Sequence, residues 1–218
     1  MTRPEAVLFD CDGVVVDSEG PTLVLFVEDL ALHGLPLTLA TFEADYLGQT
    51  VEMVAEQATR AGAKLPEGWV AHFYGRMNRM LKAGVPLVPS VLGVLDRLDA
   101  AGVPFAMGSN GSLSKMEITL GQHGIAGRFR AVLSGQALGR PKPAPDVYLA
   151  AAAACGVRPE ACVVIEDSAQ GARAGLAAGA RVLGYAAHGA ETATARSLVA
   201  LGVPLFHRME ELPGLLGI

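Results

Sequence analysis

Asp10 and Asp12 stand one residue apart, after the apolar run Ala6-Val7-Leu8-Phe9 and before Gly13, so two carboxylates share one chain reversal. Carboxylates this close repel, and the pair is useful if a cation bridges one while the other keeps a proton, because like charges push their pKa values apart. Asp and Gly are also ordinary turn formers, and on its own the string D-x-D-G reads more simply as a turn. A second acidic pair, Glu166-Asp167, closes the apolar run Cys162-Val163-Val164-Ile165. If the two runs lie side by side in a parallel sheet, four carboxylates converge with no His or Cys nearby, a hard-oxygen set that favours magnesium. The competing reading gives Asp167 or Ser168 the lesser task of capping the next helix, which does not call for Glu166 as well.

Gly108-Ser109-Asn110-Gly111-Ser112 offers a small hydroxyl, an amide and backbone N–H groups ahead of a helical pattern, the chemistry of a phosphate cradle. Ser114 and Glu117 have capping-box spacing, which starts the helix there, and a plain loop and cap accounts for the stretch equally well. Lys142 lies between Pro141 and Pro143. Pro143 favours an extended backbone at Lys142, and Pro145 suits the first position of the next helix. Most lysines are surface lysines, but one held this rigidly before a helix is placed to meet a phosphate or a metal-bound carboxylate. His33, His72, His123, His188 and His207 lack ligand spacing and read as surface or packing residues, while Trp69, Phe73 and Met77 recur at helical spacing as core.

These strings need strands to end beside one another. Apolar runs at 6–9, 103–107, 131–133, 162–165 and 181–183 read as buried strands, and most precede a helical pattern, at 114–123, 146–155 and 170–178. Such alternation predicts an α/β fold with a doubly wound, Rossmann-like parallel sheet. Between 17 and 84 it breaks, since 22–32, 38–47, 51–61 and 68–82 all read as helices with no strand between them. We therefore expect an α-helical cap domain at 17–84 inserted into an α/β core formed by 1–16 and 85–218, with a cleft where the two links emerge.

The 218 residues are 51% hydrophobic and 18% charged with a mean hydropathy of +0.36, a composition that folds. Seventeen basic against 22 acidic residues give a net charge of −5, which argues against nucleic acid as a partner. No apolar stretch is long enough to span a membrane, and the N-terminus turns acidic too soon for a signal peptide. Cys11, Cys155 and Cys162 are odd in number and unpaired in spacing, so a reducing cytoplasm suits them as small apolar fillers.

Taken together, Phe9-Asp10-Cys11-Asp12-Gly13-Val14-Val15-Val16-Asp17-Ser18-Glu19, Ser109-Asn110-Gly111, Lys142-Pro143 and Glu166-Asp167-Ser168 resemble, in order and along the whole chain, the haloacid dehalogenase superfamily of phosphohydrolases. The helical insert is similar to the cap of its β-phosphoglucomutase-like and sugar-phosphate phosphatase branch. The resemblance implies that Asp10 attacks phosphorus to form an aspartyl-phosphate and that Asp12 protonates the leaving oxygen and later activates water. It implies magnesium held by Asp10, the backbone carbonyl of Asp12 and Asp167, with Glu166 ligating directly or holding a metal-bound water. Ser109, Asn110 and Lys142 would hold the phosphoryl oxygens, and Lys142 would keep Asp10 ionised. Gly48, Gln49, Arg76 and Arg79 are the expected cap-side contacts.

Two positions depart from the mutases of this branch, where a His would stand at Thr22 and an Arg at Val51. A phosphatase acting on a small phosphate ester, a sugar or sugar-acid phosphate, is thus expected over a phosphohexomutase, in a monomeric cytoplasmic protein. A receiver domain of signalling proteins lacks the helical insert, and a non-catalytic phosphometabolite sensor would not need the full set from Asp10 to Asp167.

Overall fold

The computed structural model describes residues 3–218; Met1 and Thr2, on which part of the export expectation rests, lie outside the described residues. Strand β1 (Ala6–Phe9) is followed by four helices, α1 (Glu19–Leu32), α2 (Leu39–Tyr46), α3 (Val51–Arg60) and α4 (Trp69–Lys82). The alternation then resumes as α5 (Val91–Ala101), β2 (Phe105–Ser109), α6 (Leu113–Gln122), β3 (Val132–Ser134), α7 (Asp146–Ala154), β4 (Cys162–Glu166), α8 (Ala169–Ala177) and β5 (Arg181–Tyr185). It closes with α9 (Ala193–Ala200), β6 (Leu205–Phe206) and α10 (Leu212–Leu216). All six strands are parallel in the order β3-β2-β1-β4-β5-β6, a doubly wound sheet.

The central strands are apolar at successive positions because helices cover both faces. Val7 and Phe9 point into one layer with α5, α6 and α10, where Phe9, Phe105 and Phe129 meet edge to face with centroids 5.1–6.4 Å apart. Ala6 and Leu8 point into the other, where Ala151, Ala152, Ala172 and Ala174 let α7 and α8 approach closely. The central strands run further toward their carboxyl ends than hydrophobicity suggests: β2 reaches Ser109, β4 Glu166 and β5 Tyr185. Their polar ends still pair, Ser109 with Ser134 and Glu166 with Gly184. β6 is too short to leave a periodic signal, and α5, α9 and α10 were likewise not anticipated.

Helices α1–α4 pack as one body around an aromatic stack in which Phe26 touches Phe42 (5.0 Å) and Phe73 (4.1 Å), Phe42 touches Tyr46, and Trp69 touches Phe73. Trp69, Phe73 and Met77 are buried there. The two links to the sheet pair with each other: Val16 bridges Leu87 in antiparallel sense, Asp17 N–H donates to the Pro86 carbonyl at 2.9 Å, and Val88 N–H to that of Val15 at 3.0 Å. His123 and His207 bond backbone carbonyls of Val85 and Ala186, and the three cysteines are free, Cys11 and Cys162 buried. No described helix is long and apolar enough to cross a membrane.

Candidate active site

β1 and β4 are neighbours where the strand order reverses, so their carboxyl ends bring Asp10 beside Glu166 and Asp167. One oxygen from each of these three side chains lies within 4.8 Å of the others. Lys142, 2% exposed, reaches in from the loop before α7 and donates to Asp10 Oδ1 (2.6 Å), Glu166 Oε1 (2.6 Å) and the Tyr148 hydroxyl (2.8 Å). Three bonds employ all three ammonium hydrogens. Tyr148 donates in turn to Glu166 Oε1 (2.8 Å), while Glu166 Oε2 accepts from the N–H groups of Asp167 (3.1 Å) and Ser168 (3.0 Å) and from Ser168 Oγ (2.9 Å). A fully buried carboxylate is tolerable only with such pairing. Gly171 makes the space, since a Cβ there would sit 1.6 Å from Glu166 Oε1.

Burial pushes the Asp10 carboxyl up; Lys142 pulls it down, the charges of Glu166 and Asp12 reinforce burial, and the outcome is a pKa of about 7. Burial lowers Lys142 as well, but Asp10 and Glu166 override it and hold the ammonium above its ordinary value. The all-oxygen donor set of Asp10, Glu166 and Asp167, with no His or Cys in it, fits a hard divalent cation.

Asp12 does not join the cluster, so the expected four convergent carboxylates are three. Its side chain instead pairs with Lys115 Nζ on α6 at 2.7 Å and accepts from Ser18 Oγ, an attraction that the like charge of the cluster does not offer. Lys115 is buried, and although burial lowers its pKa, Asp12 more than restores it. Nor does the helix begin where expected: Ser112, not Ser114, is the N-cap of α6 and accepts from Lys115 N–H (3.3 Å), while Ser114 pairs with the Ser112 hydroxyl. Pro145 likewise occupies the N-cap of α7 rather than its first turn, whereas Ser168 caps α8 through Gly171 N–H.

Ser109 is buried at the end of β2, its Oγ accepting from Gly111 N–H at 2.9 Å. The Asn110 amide is committed elsewhere than expected. Its Oδ1 accepts from Lys142 N–H (2.7 Å), and its Nδ2 donates to the carbonyls of Lys142 (3.2 Å) and Gly48 (2.8 Å), tying the lysine loop to the helical segment. Gly48 has φ of 80° and packs on Ser168, where a Cβ would lie 3.2 Å from Oγ. Two further contacts bridge segment and sheet, Gln136 to Glu52 (2.6 Å) and Thr194 to Glu43 (3.3 Å).

A cavity of about 110 Å³ lies between this floor and the helices above it. Leu23 and Phe26 of α1, Phe42 of α2, and Val51 and Val54 of α3 form much of its roof; Gln49 and Thr22 also line it.

Residues 4–179 match the family model for haloacid dehalogenase-like hydrolases. The chain belongs to that family. This hydrolase is 30% identical over 187 residues to hexitol phosphatase A of Escherichia coli K12, covering 83% of this chain and 82% of the relative. It is also 30% identical over 193 residues to the 6-phosphogluconate phosphatase of the same organism, covering 86% and 85%. Among solved structures, a haloacid dehalogenase family hydrolase from Deinococcus radiodurans R1 with bound phosphate and sodium superposes with a TM-score of 0.78 at 35% identity, covering 100% of this chain and 96% of that one.

Two expected cap-side contacts of the hydrolase are not at the cavity. Arg76 turns to the buried Asp29, which also accepts from Trp69 Nε1 at 2.6 Å, so its charge is consumed inside the helical segment. Arg79 is exposed, with its guanidinium lying back along α4 near Gly75. Lys115, Tyr148 and Gly171 were missed. The one visible signal was for Lys115, which falls on the same helix face as the buried Met116, Thr119 and Leu120, an odd place for a lysine without a partner.

Proposed function

We propose that this hydrolase is a magnesium-dependent phosphatase that cleaves a small phosphorylated metabolite, a sugar or sugar-acid phosphate, through an aspartyl-phosphate on Asp10. The observation that carries this reading is the buried Lys142 bridging Asp10 and Glu166 beside Ser109, because an anionic nucleophile facing an anionic ester needs positive charge at the floor. The phosphatase names of the relatives agree with it.

Asp10 attacks phosphorus in line with the departing ester oxygen, which takes a proton from Asp12; Asp12 then draws the proton from the water that releases phosphate. Lys142 places Asp10 and pulls its carboxyl toward the charged form, which a bound cation would complete. Ser109 offers a hydroxyl to the phosphoryl oxygens. The side chain of Asn110 acts one step back, by fixing the Lys142 loop. Asp10 and Asp167, with the backbone carbonyl of Asp12, are the proposed magnesium ligands, and Glu166 orders the set. When bound, the ion neutralises charge on the transferring group. The segment 17–84 serves as a cap, and the protein works as a monomer in the cytoplasm. Thr22 and Val51 both line the cavity without supplying the His and Arg of the mutases, so water rather than a second hydroxyl receives the phosphoryl group.

A panel of phosphate esters assayed for phosphate release with magnesium, with chelator and with calcium tests this. Release that needs magnesium and is inhibited by calcium is expected. Turnover undiminished by chelator, or glucose 6-phosphate formed from β-glucose 1-phosphate faster than free phosphate, would overturn it.

A further inference from the structure

We infer that the cavity selects phosphate monoesters whose leaving group is uncharged and has an apolar face, and turns away esters bearing a second anion such as a carboxylate or another phosphate. This narrows the proposed function and rests on it.

The first ground is charge. Among the described residues lining the cavity, the carboxylates are Asp10, Asp12 and Asp167 and the cations are Lys115 and Lys142, both of which are already held by carboxylates within 2.7 Å. The roof contributes no cation, since Arg76 is paired with Asp29 and Arg79 lies outside. An anion that took Lys115 would strip Asp12 of its partner, and one further out would be desolvated with no partner at all.

The second ground is the direction of the roof's hydrogen bonds. Gln49 Nε2 spends its two hydrogens on the Asp45 carbonyl and Gln57 Oε1 (both 2.9 Å), Thr22 Oγ1 donates to the Ser18 carbonyl (2.7 Å), and the Tyr74 hydroxyl donates to Glu52 (3.3 Å). Gln49 and Thr22 present lone pairs to a ligand, whereas the Tyr74 oxygen is already met by Gln136 and the Val51 backbone. The hydroxyls of Tyr46 and Thr50 are the neutral donors that complete the wall. Lone pairs accept from the hydroxyls of a polyol and repel a carboxylate. The remaining surface, Leu23, Phe26, Phe42, Val51 and Val54, matches the C–H face of a carbon chain or ring. At about 110 Å³ the cavity is well below the roughly 300–1,000 Å³ of sites for drug-sized ligands, so the leaving group is compact.

The test compares matched pairs that differ only in the anion, a CH2OH in place of a carboxylate: glucitol 6-phosphate against 6-phosphogluconate, and glycerol 3-phosphate against 3-phosphoglycerate, with p-nitrophenyl phosphate reporting the phosphoryl chemistry. The neutral member of each pair should have a kcat/KM about tenfold or more above its partner, the scale of one missing charge-assisted bond. Gln49→Arg and Thr22→Arg, both at half-exposed positions that tolerate a longer side chain, should narrow or reverse that ratio. Equal or greater kcat/KM for the carboxylated esters, with p-nitrophenyl phosphate still cleaved, overturns this inference alone. No phosphate released from any ester, p-nitrophenyl phosphate included, removes the phosphatase reading and this inference with it.

Discussion

The floor and the roof of the cavity handle charge in opposite ways. At the floor, ionised side chains from β1, β4 and the loop before α7 converge on the cavity and are held there by one another, with Lys142 at the centre of three bonds. In the roof, Asp29, the one buried carboxylate among the described residues there, faces inward and gathers Trp69 and Arg76, leaving stacked aromatic rings toward the cavity. Charge at the floor is arranged for a reaction, and charge in the roof is spent on holding helices together. A cation on a cap helix is therefore not a ligand for substrate until its own partner has been found.

The largest expected effect strikes the floor. Asp10→Asn should lower phosphate release by about 10⁴-fold or more, with far-UV circular dichroism unchanged, because the amide has the same size and no nucleophilic oxygen. Activity near the parent level would remove Asp10 from its role.

Next, Gly171→Ala drives a methyl into Glu166 and so shifts Lys142. A loss of about 100-fold in kcat, the usual result of misplacing a reacting group by an ångström, should accompany reduced thermal stability. Parent-like kcat in a folded Gly171→Ala protein would show that Glu166 does not set the floor.

For the roof the signs reverse. Arg76→Leu leaves Asp29 short of its charge partner and should cost about 3 kcal/mol in urea unfolding while kcat/KM on the preferred ester stays within about threefold. A tenfold fall in kcat/KM with stability intact would place Arg76 at the substrate and erase the contrast.

The smallest effect is electrostatic. In chelator, the Asp10 carboxyl holds its proton in the folded protein up to about pH 7, far above the ordinary value of 3.8, so the folded state binds more protons than the unfolded one across that window. Stability contributed by the protonated form is therefore complete below about pH 4 and is lost as pH rises through 7. Thermal melts at intervals from pH 4 to 8 should show a decline of a few degrees that Asp10→Asn removes. Equal slopes for the two proteins would mean that Lys142 already neutralises Asp10 fully.

The parts of the site that sit at strand ends were legible because each needs several chemical types in a few consecutive residues: Asp10 to Gly13, Ser109 to Gly111, Glu166 to Ser168. Alternation of strand and helix pointed to the parallel sheet, and the strand order came only with the structure. Contacts made across the fold were not legible. Nothing near Tyr148 in the chain announces Glu166, 18 residues away, and Gly171 looks like any helical glycine until the carboxylate beneath it is seen. The positions of Arg76 and Arg79 away from the cavity were hidden for a related reason. Helical spacing says that two residues lie near one face, but not whether that face looks toward the cavity or toward a neighbouring acid such as Asp29.

The paired links between sheet and helical segment have a mechanical consequence. Val15–Asp17 and Pro86–Val88 form a short two-stranded ribbon instead of two independent tethers. Two separate strings would let the helices swing, twist and slide. A ribbon bends across its flat face far more easily than it shears or turns about its length, so any excursion of the roof follows one arc. The same few residues that fasten the segment also limit its direction of bending, and they hold Gly48 over Asn110, whose amide donates to its carbonyl.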